Sequence, residues 1–293
     1  MNLRGFVPLG LWVFVACAHG GGASLGPREP LTLRQGAGLR LDGAVGDRPA
    51  EVVLAVEEPR SRITPECFAQ TPVARGRVRL PVLEGGWETF PELEVSRASL
   101  EGRPAPTFTA AVVPGNGTCQ LWLGSDVLGR SVLDVDFQAR TVALRDSPPT
   151  LPKEAERVVV DLTRAPETDR LLVFAQLNGA AATVMQTLVL GTGRSTELAL
   201  LTSRALGAEG LIRAVQLAPD WEACDVPVQV NASWRGAPAV GLLGPEAWGA
   251  QRAVLDLGPA RLTLVRPKGL PAPPCRAGEV PESPEQSREL EPR

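Results

Sequence analysis

The sequence predicts a mostly β protein made of two similar, β-barrel-like lobes related by internal duplication. Three features of the 293 residues predict this fold class. Apolar and polar residues alternate in most segments, two blocks of sequence recur in the same order, and a stretch rich in proline and charge separates the copies. Long amphipathic helices and coiled coils are not supported by any run of residues.

The clearest repeat is the block at residues 121–144, which matches residues 241–264 at a constant offset of 120. The residues that recur unchanged include Gly124 as Gly244, Asp136 as Asp256 and Leu144 as Leu264. Both copies alternate with a period of two, which predicts a strand with one buried face. Upstream, the segment from Trp87 matches the segment from Trp221 at an offset of 134, so the intervening loop differs in length between the copies.

The domain boundaries lie where these patterns change. We predict a signal peptide at 1–16, a tether at 17–30, an N-terminal lobe at 31–147, a linker at 148–156, a C-terminal lobe at 157–266 and a disordered Pro/Glu-rich tail at 267–293. Each lobe begins with a predicted hairpin, at 39–56 and 170–190. Short helical turns are predicted after these hairpins, at 63–70 and 201–207.

The N-terminus has the layout of a signal peptide, with Arg4 followed by a short apolar stretch that closes at Ala16. That stretch is too short for an ordinary spanning helix. Because Cys17 directly follows the small residue, the segment resembles a bacterial lipoprotein signal, which implies lipid attachment to Cys17. With Ala18 next, the resemblance implies anchoring at the periplasmic face of the outer membrane. A plain secretory signal with a chance cysteine is the alternative.

The remaining cysteines form an even set, as expected for disulfides in an exported protein: Cys67, Cys119, Cys224 and Cys275. No two of them have a zinc-ligand spacing such as Cys-x-x-Cys. Four cysteines allow three pairings, and the sequence does not decide among them. We favour the pairing that keeps each bridge within one half of the chain, which is Cys67–Cys119 with Cys224–Cys275.

Composition excludes several classes of function. The formal net charge is −3 and hydrophobic residues make up 44% of the chain, which argues against disorder and against a nucleic-acid partner. The only histidine is His19, in the predicted tether. Catalytic triads and metal sites built on histidine are therefore not expected in the folded part. We expect no metal and no cofactor.

The order of parts in each lobe resembles the retropepsin-like, or pepsin-like, aspartic protease family. Each lobe has a hairpin, a loop, a short helix, a mid-lobe strand, an apolar-apolar-Gly turn, a helical turn and a last strand containing Asp. The apolar-apolar-Gly turns are Leu121-Trp122-Leu123-Gly124 and Leu242-Leu243-Gly244. The resemblance covers most of residues 38–266. It implies two lobes facing each other across a cleft, each with an Asp-Thr/Ser-Gly loop beside its apolar-apolar-Gly turn.

The acids of that family are missing here. Its chemistry needs two close carboxylates that share a proton and activate one water molecule. The matching positions are Ala55, in Ala55-Val56-Glu57, and Gly191, in Gly191-Thr192-Gly193. We therefore predict a broken site with no catalytic residue. The resemblance assigns eight residues to the loops of the cleft: Val56, Glu57, Thr192, Gly193, Leu123, Gly124, Leu243 and Gly244.

Other carboxylates lie near these loops in the sequence. We interpret Glu57 and Glu58 as solvated loop charges and Asp126 as the cap of a helical turn. By the resemblance, Asp136 and Asp256 are structural. Asp134 stands beside Asp136 in one lobe only, which argues against a metal-binding pair there.

These observations predict an exported, lipid-anchored pseudoenzyme. The cleft of an inactive protein of this type would bind a peptide or protein segment by strand addition. An active peptidase with a displaced acid pair and a purely structural envelope protein are the alternatives. Since both lobes belong to one chain, we expect a monomer.

Overall fold

The computed structural model describes residues 29–35, 38–70, 72–82, 86–129, 131–179, 182–193, 198–200, 210–230, 241–269 and 275. The predicted signal peptide, Cys17 and nearly all of the tether lie outside these ranges. So do most of the predicted tail and the helical turn predicted at 201–207. Among the residues described, no helix is long and apolar enough to cross a membrane.

The chain is mostly β, as the sequence predicts. The N-terminal half contains β1 (Leu31–Thr32), β2 (Arg40–Val45), β3 (Arg48–Leu54), β4 (Arg62–Ile63), β5 (Gly76–Pro81), β6 (Trp87–Val95), β7 (Ala98–Leu100), β8 (Arg103–Pro104), β9 (Phe108–Val112), β10 (Gln120–Leu123), β11 (Val132–Asp136) and β12 (Thr141–Arg145). The C-terminal half contains β13 (Ala155–Asp161), β14 (Thr163–Arg164), β15 (Leu171–Asn178), β16 (Thr183–Leu190), β17 (Leu198–Leu200), β18 (Leu211–Ala218), β19 (Trp221–Val230), β20 (Gly241–Leu243), β21 (Arg252–Asp256) and β22 (Arg261–Pro267).

Helical structure in the described ranges is confined to single turns. These are the α-helical turn α1 (Ser125–Leu128) and two 3-10 turns at Pro65–Cys67 and Pro245–Trp248. The first 3-10 turn agrees with the helical turn predicted at 63–70. Both predicted hairpins are present, as the antiparallel pairs β2–β3 and β15–β16. Gly46 turns the first hairpin at a φ of +61°, a conformation that glycine adopts without steric cost.

The strands form three sheets. A nine-stranded sheet belongs to the N-terminal half, in the order β5-β6-β9-β4-β10-β3-β2-β7-β8. A seven-stranded sheet belongs to the C-terminal half, in the order β14-β15-β16-β20-β17-β19-β18. In this second sheet β15 also pairs with β18, so six of its strands form a closed ring.

The third sheet has six strands and joins the two halves, in the order β1-β12-β11-β21-β22-β13. Its central pair is β11–β21, which run antiparallel with Asp134 opposite Val254. The pairing is symmetric about this position, because Val132 lies opposite Asp256 and Asp136 lies opposite Arg252. One hydrophobic core extends from the N-terminal to the C-terminal half.

Strand β13 begins inside the predicted linker. Ala155 and Glu156 pair with Pro267 and Arg266, and Arg266 Nε donates a hydrogen bond of 2.7 Å to Glu156 Oε2. The pairing of β13 with β22 therefore includes the last two residues of the predicted linker, Ala155 and Glu156. It also includes Pro267, the first residue of the predicted tail. Charge and proline marked this segment as a linker, but a charged pair on neighbouring strands supports pairing instead.

Both disulfides have the pairing that we favoured. The S–S distances are 2.11 Å for Cys67–Cys119 and 2.03 Å for Cys224–Cys275. Each bridge lies within its own half of the chain, and both are compatible with an exported protein.

Candidate functional site

The loops that contain Ala55 and Gly191 follow strands in matching settings. β3 runs parallel to β10, and beyond it Ala55 N donates to Leu123 O at 2.9 Å. β16 runs parallel to β20, and beyond it Gly191 N donates to Leu243 O at 3.0 Å. Both loops thus leave a buried strand beside the leucine that precedes the glycine of an apolar-apolar-Gly turn.

The two loops contact each other through Thr192, which is fully buried. Its Oγ1 accepts a hydrogen bond of 3.1 Å from Val56 N and donates one of 2.5 Å to Leu54 O. Its carbonyl oxygen accepts a hydrogen bond of 2.6 Å from Leu39 N. The predicted cleft residues Val56 and Thr192 therefore meet, and Thr192 ties the loop of the C-terminal half to the N-terminal half.

Glu57 is buried, so its interpretation as a solvated loop charge is wrong. Only 1% of the residue is exposed. Its Oε2 accepts a hydrogen bond of 2.9 Å from Thr192 N, and its Oε1 accepts one of 3.1 Å from Gly193 N. These hydrogen bonds from backbone N–H groups offset part of the free-energy cost of burying the carboxylate. Those donors lie about 135 residues away in the chain, so local sequence did not reveal them.

Glu58 is also buried, at 5% exposure, and the same interpretation is wrong for it. Its N–H donates to Ala55 O at 3.0 Å, which turns the chain at the end of the loop. Arg62 Nη2 lies 2.5 Å from Glu58 Oε2 and also donates a hydrogen bond of 3.2 Å to Pro81 O. An ion pair four residues apart in sequence therefore accompanies the burial of this carboxylate.

The two positions that the resemblance matches to catalytic acids, Ala55 and Gly191, are closely packed. Ala55 is fully buried. A Cβ atom added to Gly191 would lie 2.6 Å from Leu242 Cδ1, and one added to Gly193 would lie 2.8 Å from Val53 Cγ1. Leu242 thus occupies the volume that a side chain at position 191 needs.

The two apolar-apolar-Gly turns have matching local structure. Leu123 and Leu243 are fully buried. Gly124 precedes α1 and Gly244 precedes the 3-10 turn at Pro245–Trp248, each as the N-cap residue. A Cβ atom on Gly124 would lie 2.7 Å from Glu58 O, so glycine allows this turn to pack against the first loop.

Asp126 caps its turn only in part. Its Oδ1 accepts a hydrogen bond of 3.0 Å from Val127 N, but the N-cap residue is Gly124. The same oxygen accepts hydrogen bonds from Ser61 N at 2.9 Å and Ser61 Oγ at 2.8 Å. Burial raises the pKa of Asp126, and the hydrogen bonds from Ser61 oppose that rise.

Arg170 belongs to this site, although the sequence analysis did not single it out. It is 3% exposed, and its Nε donates a hydrogen bond of 3.2 Å to Glu57 O. Its Nη2 donates one of 3.0 Å to Pro81 O, at the end of the edge strand β5. The Arg170 guanidinium, from the C-terminal half, therefore forms hydrogen bonds to both the first loop and the β5–β6 hairpin. In the sequence, Arg170 stands directly before an apolar strand, and this position gives no sign that its side chain is buried at the two loops.

A cavity of about 350 Å³ lies where the two loops meet. It is lined by two carboxylates, two guanidinium groups, an apolar wall and the second loop: Glu57, Glu58, Arg40, Arg62, Val113, Pro114, Trp122 and Gly193. Arg40 Nη1 also binds Glu51 Oε1 at 2.6 Å. A larger cavity of about 590 Å³ lies beside the linker and borders none of the predicted loop residues.

The strand aspartates have structural partners. Asp136 Oδ1 accepts a hydrogen bond of 2.7 Å from Ala139 N, and Asp256 Oδ1 accepts one of 3.3 Å from Gly258 N. Asp134 binds Arg145 and Arg252. Within the described ranges, no three His, Cys, Asp or Glu side chains are grouped so that they could hold a metal ion.

No model of a known protein family matches this chain, and no curated protein matches it. Its biochemical role therefore has to follow from the geometry of the two loops.

Proposed function

We propose that this chain is an exported, lipid-anchored protein with two duplicated lobes of aspartic-protease type, which binds extended peptide or protein segments without cleaving them. The observation that carries the proposal is the cavity that both loops line, the first through Glu57 and the second through Gly193. A cavity remains beside these loops although both acid positions are closely packed. Its volume is at the lower end of the range for ligand pockets.

The symmetry of the strand pairing supports the duplication. Residues 134 and 254, which are separated by the sequence-repeat offset of 120, lie opposite each other at the centre of β11–β21. A two-fold axis between equivalent strands requires this arrangement. The matching hydrogen bonds from Ala55 to Leu123 and from Gly191 to Leu243 support the equivalence of the two loops.

The packing at position 191 supports the absence of catalysis of the family type. A carboxylate there would have to displace Leu242, which is buried against the loop. The nearby acids have other partners, since Glu57 binds the N–H groups of the second loop and Asp126 binds Ser61.

The edge of the nine-stranded sheet supports binding of an extended segment. β5 is an outermost strand of that sheet, and its last residue, Pro81, contacts Arg62 and Arg170. Arg62 lines the cavity, so this edge runs beside it. Edge strands offer backbone groups to which a peptide strand can be added.

A peptide-binding experiment tests the proposal. A randomised hexapeptide library is selected against the full chain, and the affinities of the selected peptides are measured by calorimetry. We expect Trp122→Ala, in the cavity wall, to weaken binding at least about tenfold, whereas Phe174→Ala, an exposed aromatic on β15, leaves it unchanged. The proposal fails if no peptide binds or if the purified chain cleaves the peptides it selects.

A second candidate function is an acid peptidase that uses Glu57 and Glu58. It is favoured by one observation, that both carboxylates line the same cavity. Two carboxylates in one site can share a proton and activate water. Hydrolysis of the selected peptides at pH 3 to 5, abolished by Glu57→Gln, would favour this candidate over the first.

The cellular location is part of the proposal and has its own test. The two disulfides support export. Mass spectrometry of the mature protein should find lipid on Cys17, and Cys17→Ser should release the protein from the membrane fraction. If Cys17 of the mature protein carried no lipid, the proposed anchor would be wrong, and only the proposed export would remain. Sedimentation should give a monomer.

A further inference from the structure

The outer edge of β5 presents the backbone groups of two arginines. β5 is an outermost strand of its sheet, and among the strands of the described ranges it pairs only with β6. Val82 N donates to Gly86 O on the β6 side, so the alternation of an antiparallel ladder also directs the N–H and C=O of Val78 toward β6. The N–H and C=O groups of Arg77 and Arg79 therefore point outward, to where a further strand would pair.

Pro81 ends this stretch of edge. Its carbonyl oxygen accepts hydrogen bonds from Arg62 Nη2 at 3.2 Å and from Arg170 Nη2 at 3.0 Å, and proline has no N–H. Both arginines also bind the first loop, Arg62 through the Glu58 carboxylate and Arg170 through the Glu57 carbonyl oxygen. An added strand can therefore pair with β5 only in the residues before Pro81.

The side chains of Arg77 and Arg79 lie on one face of the β5–β6 hairpin. Residues directly opposite each other in an antiparallel pair share a face, so this face also carries Pro91, Thr89 and Trp87 of β6. Both arginines are exposed, and the Arg79 guanidinium lies over the Trp87 ring, 5.3 Å from its centroid. The face thus presents two accessible positive charges, two residues apart along the edge strand.

The acidic side chains of the hairpin do not neutralise these charges. Glu88 and Glu92 alternate with the residues of the arginine face, so they belong to the opposite face. Glu94 forms an ion pair with Arg75. Among the described residues, no acid forms an ion pair with Arg77 or with Arg79. A ligand that pairs with this edge would therefore meet net positive charge on one side.

We propose that the outer edge of β5 binds an extended peptide segment with acidic side chains two residues apart. The segment pairs its backbone with Arg77 and Arg79, and its two acids lie opposite the two guanidinium groups on the same face. The residue between the acids lies on the face of Val78. An apolar residue suits this position, because Val78 and Trp122 pack against the same small apolar cluster and Trp122 lines the cavity. This inference rests on the proposed function and names the ligand chemistry of its site.

Two hexapeptides of the same composition test the spacing of the acids. Each contains two glutamates, one valine and three threonines. In one the valine separates the glutamates, so both acids lie on one face of an extended strand, and in the other the glutamates are adjacent and face opposite sides. Calorimetry with the full chain at low salt should show at least about threefold tighter binding of the spaced peptide. The difference should shrink in about 0.5 M salt, because exposed charges are screened.

Variants and amide exchange locate the binding. The double variant Arg77→Gln, Arg79→Gln should bind both peptides equally. Arg97→Gln removes an exposed charge that pairs with Asp47, away from this edge, and it should keep the preference. The spaced peptide should slow exchange of the Arg77 and Arg79 amide protons measured by NMR, whereas that of Val78, which faces β6, should change little. If the double variant does not fold, the peptide ranking and the exchange rates of the wild-type chain decide.

The inference is overturned if the two peptides bind equally to the wild type, or if a bound peptide leaves amide exchange at Arg77 and Arg79 unchanged. It is also overturned if the peptides selected from the random library lack acids two residues apart. In each of these cases a peptide that binds and is weakened by Trp122→Ala leaves the proposed function standing. Failure of every peptide to bind removes the proposed function and this inference together.

Discussion

Asp134 and Arg252 are joined by two hydrogen bonds, from Nε to Oδ1 at 2.7 Å and from Nη2 to Oδ2 at 2.8 Å. They lie on β11 and β21, the central strands of the sheet that joins the two halves. Arg145 Nε adds a third hydrogen bond, to Asp134 Oδ2 at 2.8 Å. One buried carboxylate thus binds an arginine from each half of the chain. The hydrogen bond to Asp134 raises the pKa of Arg252, so the guanidinium stays charged.

Asp134→Ala should destabilise the folded chain by about 2 kcal/mol. Removing one member of a buried pair costs about 3–5 kcal/mol, but both arginines here are partly exposed and can reach water. Urea unfolding at pH 7 measures the change. Asp161→Ala is the matched control, because the Asp161–Arg261 pair is exposed and its loss should cost less than about 0.5 kcal/mol. Equal losses in the two variants would contradict a joining role for Asp134.

Thr192→Val should cost about 2–3 kcal/mol although the two side chains have nearly the same shape. The hydroxyl accepts from Val56 N and donates to Leu54 O, and the variant leaves both groups buried and unpaired. Thermal unfolding should show the loss. Thr163→Val, on an exposed position of β14, should change stability by less than about 0.5 kcal/mol. If Thr192→Val were as stable as the wild type, the hydrogen bonds of Thr192 would contribute nothing to the free energy of unfolding.

Gly191→Asp should destabilise the chain by about 3 kcal/mol and produce no peptidase activity. The new side chain would meet Leu242, and its carboxyl group would enter an apolar site. Adding Leu242→Ala should recover part of the loss, because it provides space. Gly76→Asp is the control, since a side chain at Gly76 meets nothing within 4 Å. Peptide hydrolysis by Gly191→Asp alone would contradict this prediction, because it would show that position 191 can hold a catalytic acid despite its packing against Leu242.

Asp126 should give the chain a recognisable pH dependence. Since burial raises its pKa in the folded state, its contribution to stability is largest at acid pH and is lost as the pH rises through that raised value. The stability of the wild type relative to Asp126→Asn should therefore increase between pH 7 and pH 4 in urea unfolding. Thr163→Val is the control because it removes no titratable group, so its difference from the wild type should not change over the same range. A difference between wild type and Asp126→Asn that stays constant with pH would contradict the assigned cause.

The elements predicted correctly were those encoded by local patterns. Alternation of apolar and polar residues located the β2–β3 and β15–β16 hairpins. The observed disulfides have the pairing that we favoured, although four cysteines allow three pairings and the sequence did not decide among them. Glu57 and Glu58 were misjudged because charge in a loop usually indicates solvent. Their burial depends on partners that come from other parts of the fold, such as the N–H groups of Thr192 and Gly193.

The sequence by itself determined the β class, the main hairpins, the repeat at an offset of 120 and the lack of acids at positions 55 and 191. These properties depend on neighbours along the chain or on residue identity. The tertiary structure decided which groups meet: Thr192 with Val56, Arg170 with Pro81, and Leu242 with the space beside Gly191. Such contacts join residues far apart in sequence, and packing and hydrogen bonding at a distance leave no periodic pattern in either segment.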